Sequence, residues 1–297
     1  MGERRESDGS MIEIDPAWPA LLERLDADES WASVFVMGPI DSGKTTFCRV
    51  LGERLSRTHP TFAVDCDPGQ SALGWPACMA LAREPWNGGE PLALRFVGST
   101  SPSGHFLQTL TGVNRLAEHA HECGAQRIIF DCCGYLENGG GREFHFQMLD
   151  LLQPDHVIAL QGAGEIDPLL EIFERRGRPL VHRLPIPAAV VPRSTVERRA
   201  YRTQRFARYF ETAVMVTLPL DDLGLHGMVP PPDRADLCRD RLVGLCDRRG
   251  FALAMGLVQD FEPGRNRLHL LAPPFRADAV VSVQFGSLRL DRHGREL

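Results

Sequence analysis

The chain has 297 residues, 43% of them apolar and 24% charged, with a formal net charge of −6. That composition excludes a disordered chain and a protein that coats nucleic acid by bulk positive charge, although a local basic groove remains open. The eight cysteines form no C-x-x-C pair, and no apolar run approaches the roughly 18 residues needed to cross a bilayer, so a reducing cytoplasm and no membrane contact are expected.

In chain order, residues 1–10 (MGERRESDGS) are polar and expected to lack packed structure, leading through a short helix to about residue 30. Ser33–Met37 (SVFVM) predicts a buried strand ending at Gly38. Thr45–Ser56 follows with Phe47, Val50, Leu51 and Leu55 at helical spacing. Further strands are predicted at Phe62–Asp65, Leu92–Val97, Arg127–Asp131 and His156–Leu160, with helices at Leu107–His121, Phe144–Leu152 and Ile166–Arg175. Such alternation predicts an α/β domain over 31–220, built on a mostly parallel sheet flanked by helices. Past the proline-rich residues 228–233, strand-like runs at Leu242–Cys246, Ala252–Val258, Leu268–Leu271 and Val280–Leu290 predict a small β-rich region over 221–297.

One residue is compositionally singular. Lys44 is the only lysine; the other 32 basic residues are arginine. It sits in Gly38-Pro39-Ile40-Asp41-Ser42-Gly43-Lys44-Thr45-Thr46, which fits the phosphate-loop pattern G-x-x-x-x-G-K-[ST] between a strand and a helix. Backbone N–H groups and the helix N-terminus there suit phosphates, Lys44 supplies a compact charge, and the Thr45 hydroxyl suits Mg²⁺.

Three further strings qualify the loop. Asp65-Cys66-Asp67-Pro68-Gly69-Gln70 puts two carboxylates at a strand's C-terminal end, suited to a metal's water shell and to accepting a proton; an ordinary Asp-Pro-Gly turn is the plainer reading. Ile128-Ile129-Phe130-Asp131 is an apolar strand ending in an acid, the Walker B form, and Tyr135 beyond it is either a half-buried core residue or a platform for a base. Arg198, Arg202 and Arg205 share one helical face, with Arg193 upstream and few acids nearby in sequence, Glu197 and Glu211 being the only ones between 193 and 211.

In this order the strings resemble those of the polynucleotide 5′-hydroxyl kinase family, from about Ala32 to Phe210 and more weakly beyond. The resemblance implies a P-loop kinase domain that binds ATP with Mg²⁺ and phosphorylates a 5′-hydroxyl end of RNA or DNA. It implies cofactor contacts from Gly38, Asp41, Ser42, Gly43, Lys44, Thr45 and Thr46, and from Ser101 in a Thr-Ser-Pro clasp. Asp67 is implied as the base with Asp65 supporting it. Metal ligands are implied among Thr45, Asp65, Asp67 and Asp131, and substrate contacts at Gln70, Tyr135 and Arg193. Arg198-x-x-x-Arg202 resembles the family's lid. Tyr135 stands where the family more often has tryptophan, and with about thirty residues before the first strand the N-terminal β domain of eukaryotic members is not expected here. Two rival functions remain: an ATP-holding scaffold without turnover, and a kinase for a free nucleoside. A guanine-specific enzyme is disfavoured, because its N-K-x-D motif needs a second lysine.

Overall fold

The computed structural model describes residues 4–5, 11–12, 15–83, 90–136 and 139–297; the expectation for residues 1–10 therefore falls largely outside the described residues. The strands are β1 (Ser33–Met37), β2 (Thr61–Asp65), β3 (Cys78–Arg83), β4 (Ala93–Phe96), β5 (Arg127–Asp131), β6 (His156–Gln161), β7 (Leu180–Pro185), β8 (Val214–Pro219), β9 (Gly224–Gly227), β10 (Arg241–Cys246), β11 (Ala252–Glu262), β12 (Arg267–Ala272) and β13 (Ser282–Arg289). The helices are α1 (Pro19–Ala27), α2 (Lys44–Leu55), α3 (Phe106–Glu122), α4 (Gly139–Leu152), α5 (Asp167–Arg176) and α6 (Thr195–Tyr209). Arg4–Arg5 and Met11–Ile12 also pair as a two-residue antiparallel ladder. No helix among the described residues is long and apolar enough to cross a membrane.

Two compact units draw on interleaved segments: residues 1–67, 80–92 and 113–193 form one, and 68–79, 93–112 and 194–297 the other. In the first, the strand order is β3-β2-β5-β1-β6-β7. β2, β5, β1, β6 and β7 run parallel and β3 runs antiparallel to β2. The expected α/β class holds, with one antiparallel strand that the sequence does not announce. Residues Cys78–Arg83 (CMALAR) are helix formers, and pairing of Phe62–Asp65 with Ala80–Arg83 overrides that preference. Residues of β2, β5 and β6 are buried throughout, as a sheet covered on both faces requires. Trp18 closes this core, edge-on to Phe47 of α2 at 5.1 Å.

The second unit holds a six-stranded sheet in the order β8-β12-β11-β10-β13-β9. All its pairs are antiparallel except β9 with β13. One face packs around Val243, Leu245, Val258, Phe261, Leu270 and Phe285. The other packs Leu242, Met255 and Leu257 with Phe96 of β4 and Phe206 of α6. The Tyr209 hydroxyl accepts the Met255 N–H at 2.7 Å, fixing the end of α6 on this sheet. Gly98 and Gly286 cross where no side chain fits, since a Cβ on Gly98 would lie 2.4 Å from the Gly286 Cα.

Candidate active site

In the first unit, β1 lies between β5 and β6, and β2 lies beyond β5. The chain thus leaves β1 at a point where strand order reverses, and crevices at such points bind ligands at the C-terminal strand ends. Residues 38–43 form the loop there, and α2 starts at Lys44. Two glycines are obligatory. Gly43 has φ +89°, and a Cβ on Gly38 would sit 2.5 Å from the Leu160 carbonyl oxygen and 2.6 Å from Ser42 Oγ. Gly134 meets the same need from below, because its Cβ would lie 2.5 Å from the Ile40 nitrogen.

Lys44 is buried, and its Nζ donates to the Pro39 carbonyl at 2.7 Å and to Ser42 Oγ at 3.4 Å. Its ammonium is thus folded onto its own loop. Asp65 and Asp131 are the last residues of two adjacent parallel strands and are register partners; both are buried. Asp67 is half-buried, and its N–H donates to Asp65 Oδ1 at 3.0 Å. The Thr45 hydroxyl is near enough to Asp131 to favour its ionised form. The phosphate loop and both acid strings therefore meet at one edge of one sheet.

The electrostatics of that edge are unbalanced toward negative charge. Asp131 is pushed up to about 7, first by burial and then by Asp65 and Asp67, while the Thr45 hydroxyl and Lys44 ammonium pull it down. Carboxylates and a hydroxyl form a hard oxygen donor set, so these residues fit a divalent cation such as Mg²⁺. Three ligand atoms within 4.8 Å of one another occur, among the described residues, at Asp260, Glu262 and His269 and not at this edge.

Asp131 also yields a pH prediction. The folded chain holds a proton on Asp131 up to about 7, whereas an unfolded carboxyl loses it near 3.8. Proton binding to the folded form makes stability highest at the acid end of this window and lower as pH rises through it. Asp131→Asn removes the effect. In thermal melts with chelator and no nucleotide, the variant should gain on the parent as pH rises from 5 to 8; a constant difference would refute the assignment.

The buried Cys48, Cys66, Cys132 and Cys133 around this edge have thiols pushed up, first by burial, so they stay protonated core residues. Only Cys123 is exposed among the eight. Tyr135 is half-buried just beyond Gly134. His145, unremarked in the sequence, is fully buried, with Nδ1 2.9 Å from the Gly141 oxygen and Nε2 3.0 Å from the Cys133 oxygen. It ties α4 to the segment leading to Tyr135. No sequence signal distinguishes it from any histidine on an apolar helix. The helix α4 starts at Gly139 rather than Phe144, and a Cβ on Gly141 would lie 2.5 Å from the Tyr135 oxygen. Arg193, the last residue of this unit, is bonded to Asp41 of the loop.

The remaining candidates belong to the second unit. Ser101 Oγ accepts the Ser103 N–H at 3.2 Å. Gln70 Nε2 donates to the Gly69 carbonyl at 3.0 Å. Ser194 opens α6 with a capping box completed by Glu197, which therefore serves the helix end. The sequence offers few acids for the arginine face of α6, yet its guanidinium groups are engaged. Arg202 Nη2 donates to Glu296 Oε2 at 3.2 Å and its Nε donates to Oε1 of the same carboxylate. Arg205 donates to the Gly74 carbonyl and stacks 4.8 Å over Trp75. Glu296 is 94 residues from Arg202, so local acid counting could not find it.

Glycine loop, buried lysine and paired strand-end acids define a phosphate-loop nucleotide-binding protein of the α/β class. Residues 38–212 match the family model described as the mRNA cleavage and polyadenylation factor CLP1 P-loop, and the chain belongs to that family. It is 26% identical to a polyribonucleotide 5′-hydroxyl-kinase of Pyrococcus furiosus, over 90% of each chain. A counterpart from Methanocaldococcus jannaschii is 24% identical, covering 89% of this chain and 88% of that protein. The Clp1 polyribonucleotide 5′-hydroxyl-kinase of Gallus gallus is 30% identical, covering 62% of this chain and 46% of its own length. The fold also matches the solved wild-type Clp1p–Pcf11p complex with a TM-score of 0.66 at 15% identity, over 91% of this chain and 77% of that one.

Proposed function

We propose that this protein transfers the γ-phosphoryl group of ATP to the 5′-hydroxyl end of a polynucleotide, with RNA the substrate that the names of its relatives indicate. The observation that carries this reading is the meeting of Lys44, Thr45, Asp65, Asp67 and Asp131 at one sheet edge, in a chain aligned over 90% of its length with a kinase of that name. A phosphate loop alone binds nucleotide; an acid pair beside it adds a proton acceptor for a hydroxyl.

In this reading the loop amides and the α2 N-terminus bind the donor phosphates, and Lys44 leaves Pro39 to neutralise the transferring group. Asp67, the more accessible acid, accepts the hydroxyl proton, and Asp65 orients it through the Asp67 N–H. Thr45, Asp65, Asp67 and Asp131 would hold Mg²⁺, which supplies charge neutralisation at the phosphate oxygens when bound. Ser101, Gln70, Tyr135, Arg198 and Arg202 are assigned by their motifs: Ser101 to the donor, Gln70 and Tyr135 to the acceptor strand, and the arginines to phosphate charge. A competition assay tests the acceptor class. A 5′-hydroxyl oligonucleotide should take the phosphoryl group in the presence of excess free nucleoside; preferential labelling of the nucleoside would replace this reading with a small-molecule kinase.

A further inference from the structure

Asp41 is an anomaly in a loop built to hold phosphates. A carboxylate set beside a phosphate repels it, and more strongly where water is excluded. It is also strained, since its φ of +53° lies in the left-handed region that non-glycine residues rarely occupy. Its side chain is only 8% exposed. Arg193 meets the buried charge. Its backbone N–H donates to Asp41 Oδ2 at 2.7 Å, and its Nε and Nη2 donate to Oδ1 at 3.3 and 3.2 Å. The carboxylate is thereby neutralised and both its oxygens are engaged.

The same stretch of chain approaches the loop at a second point. Val190 and Pro187 lie 3.5 and 3.6 Å from where a Cβ of Gly43 would stand. Residues 187–193 thus flank the loop at Gly43 and at Asp41, both positions of positive φ. We infer that Asp41 and Arg193 form a clasp that preforms the phosphate loop, each acting through the other as a positioning residue for nucleotide. Neither is then a direct ligand contact, which revises the roles that the resemblance gives Asp41 and Arg193. The clasp also anchors the residue immediately before Ser194, where the helix bearing the R-x-x-x-R string begins. This inference rests on the reading of residues 38–46 as the nucleotide site.

The test is equilibrium binding of ATP to the full chain, with KM and kcat measured in parallel, for Asp41→Ala, Arg193→Ala, Asp41→Asn and the double alanine variant. Loss of a preorganising, partly desolvated ion pair is expected to weaken ATP about 10-fold in each single variant. The KM for ATP should rise to match, with kcat within about 2-fold, because ground-state and transition-state binding are lost together. The double variant should be no weaker than the worse single, and Asp41→Asn should recover part of the loss. Multiplying losses in the double variant would overturn the clasp. So would an Arg193→Ala variant that keeps its ATP affinity and instead raises KM for the oligonucleotide, or tighter ATP binding by Asp41→Ala. If Lys44→Ala binds ATP as tightly as the parent, the nucleotide site itself has been misplaced, an outcome distinct from failure of the clasp alone.

Discussion

Replacing Lys44 with alanine is expected to lower phosphoryl transfer by about 10³-fold or more, the range for losing a preorganised charge at a transferring group. The chain has no second lysine to compensate, and all its other permanent cations are planar guanidinium groups. Lys44→Arg should fail nearly as badly. The lysine side chain is buried at 8% exposure and reaches Pro39 and Ser42 as a point donor, a geometry that a five-donor fork does not reproduce. The fold should survive, because the two hydrogen bonds that the lysine side chain donates stay within its own loop. Retained melting temperature with lost transfer is the expected pair of results; transfer within about 10-fold of the parent would remove Lys44 from the mechanism.

Asp67→Asn should be nearly as damaging, lowering kcat by about 10²–10⁴-fold, the usual contribution of a positioned general base. ATP affinity should change little, since the amide keeps the size of the carboxylate. Asp65→Asn should cost less in kcat, because Asp65 acts through the 3.0 Å bond that it accepts from the Asp67 N–H. Steady-state kinetics on both variants, with ATP binding measured separately, distinguishes the two acids. A larger kcat loss for Asp65→Asn would reverse their roles.

The sequence made the chemistry more legible than the packing. The phosphate loop is readable because its constraints are local: Gly38 and Gly43 are required by close approach and by positive φ, and Lys44 must follow them. The buried parallel strands are readable as continuous apolar runs, and their terminal acids fall at one edge because parallel strands end together. Features set by distant partners left no such trace. Residues 78–83 carry helix-forming side chains and become a strand through pairing with β2. β7 is exposed along much of its length and shows no apolar run. The arginine face of α6 looks unpaired until the fold brings Glu296 to Arg202. Asp41 and Arg193 are separated by 152 residues, and nothing in either neighbourhood marks them as partners. Likewise, assignment of residues 68–79 and 93–112 to the second unit depends on tertiary contacts alone.

The most direct test of the central claim is transfer from γ-labelled ATP to matched RNA oligonucleotides bearing either a 5′-hydroxyl or a 5′-phosphate, with the label located by nuclease digestion. The expected result is Mg²⁺-dependent labelling of the 5′-hydroxyl RNA alone, with all label at the terminal 5′ position and none in the Lys44→Ala variant. Tight ATP binding without transfer to any 5′-hydroxyl end would contradict it.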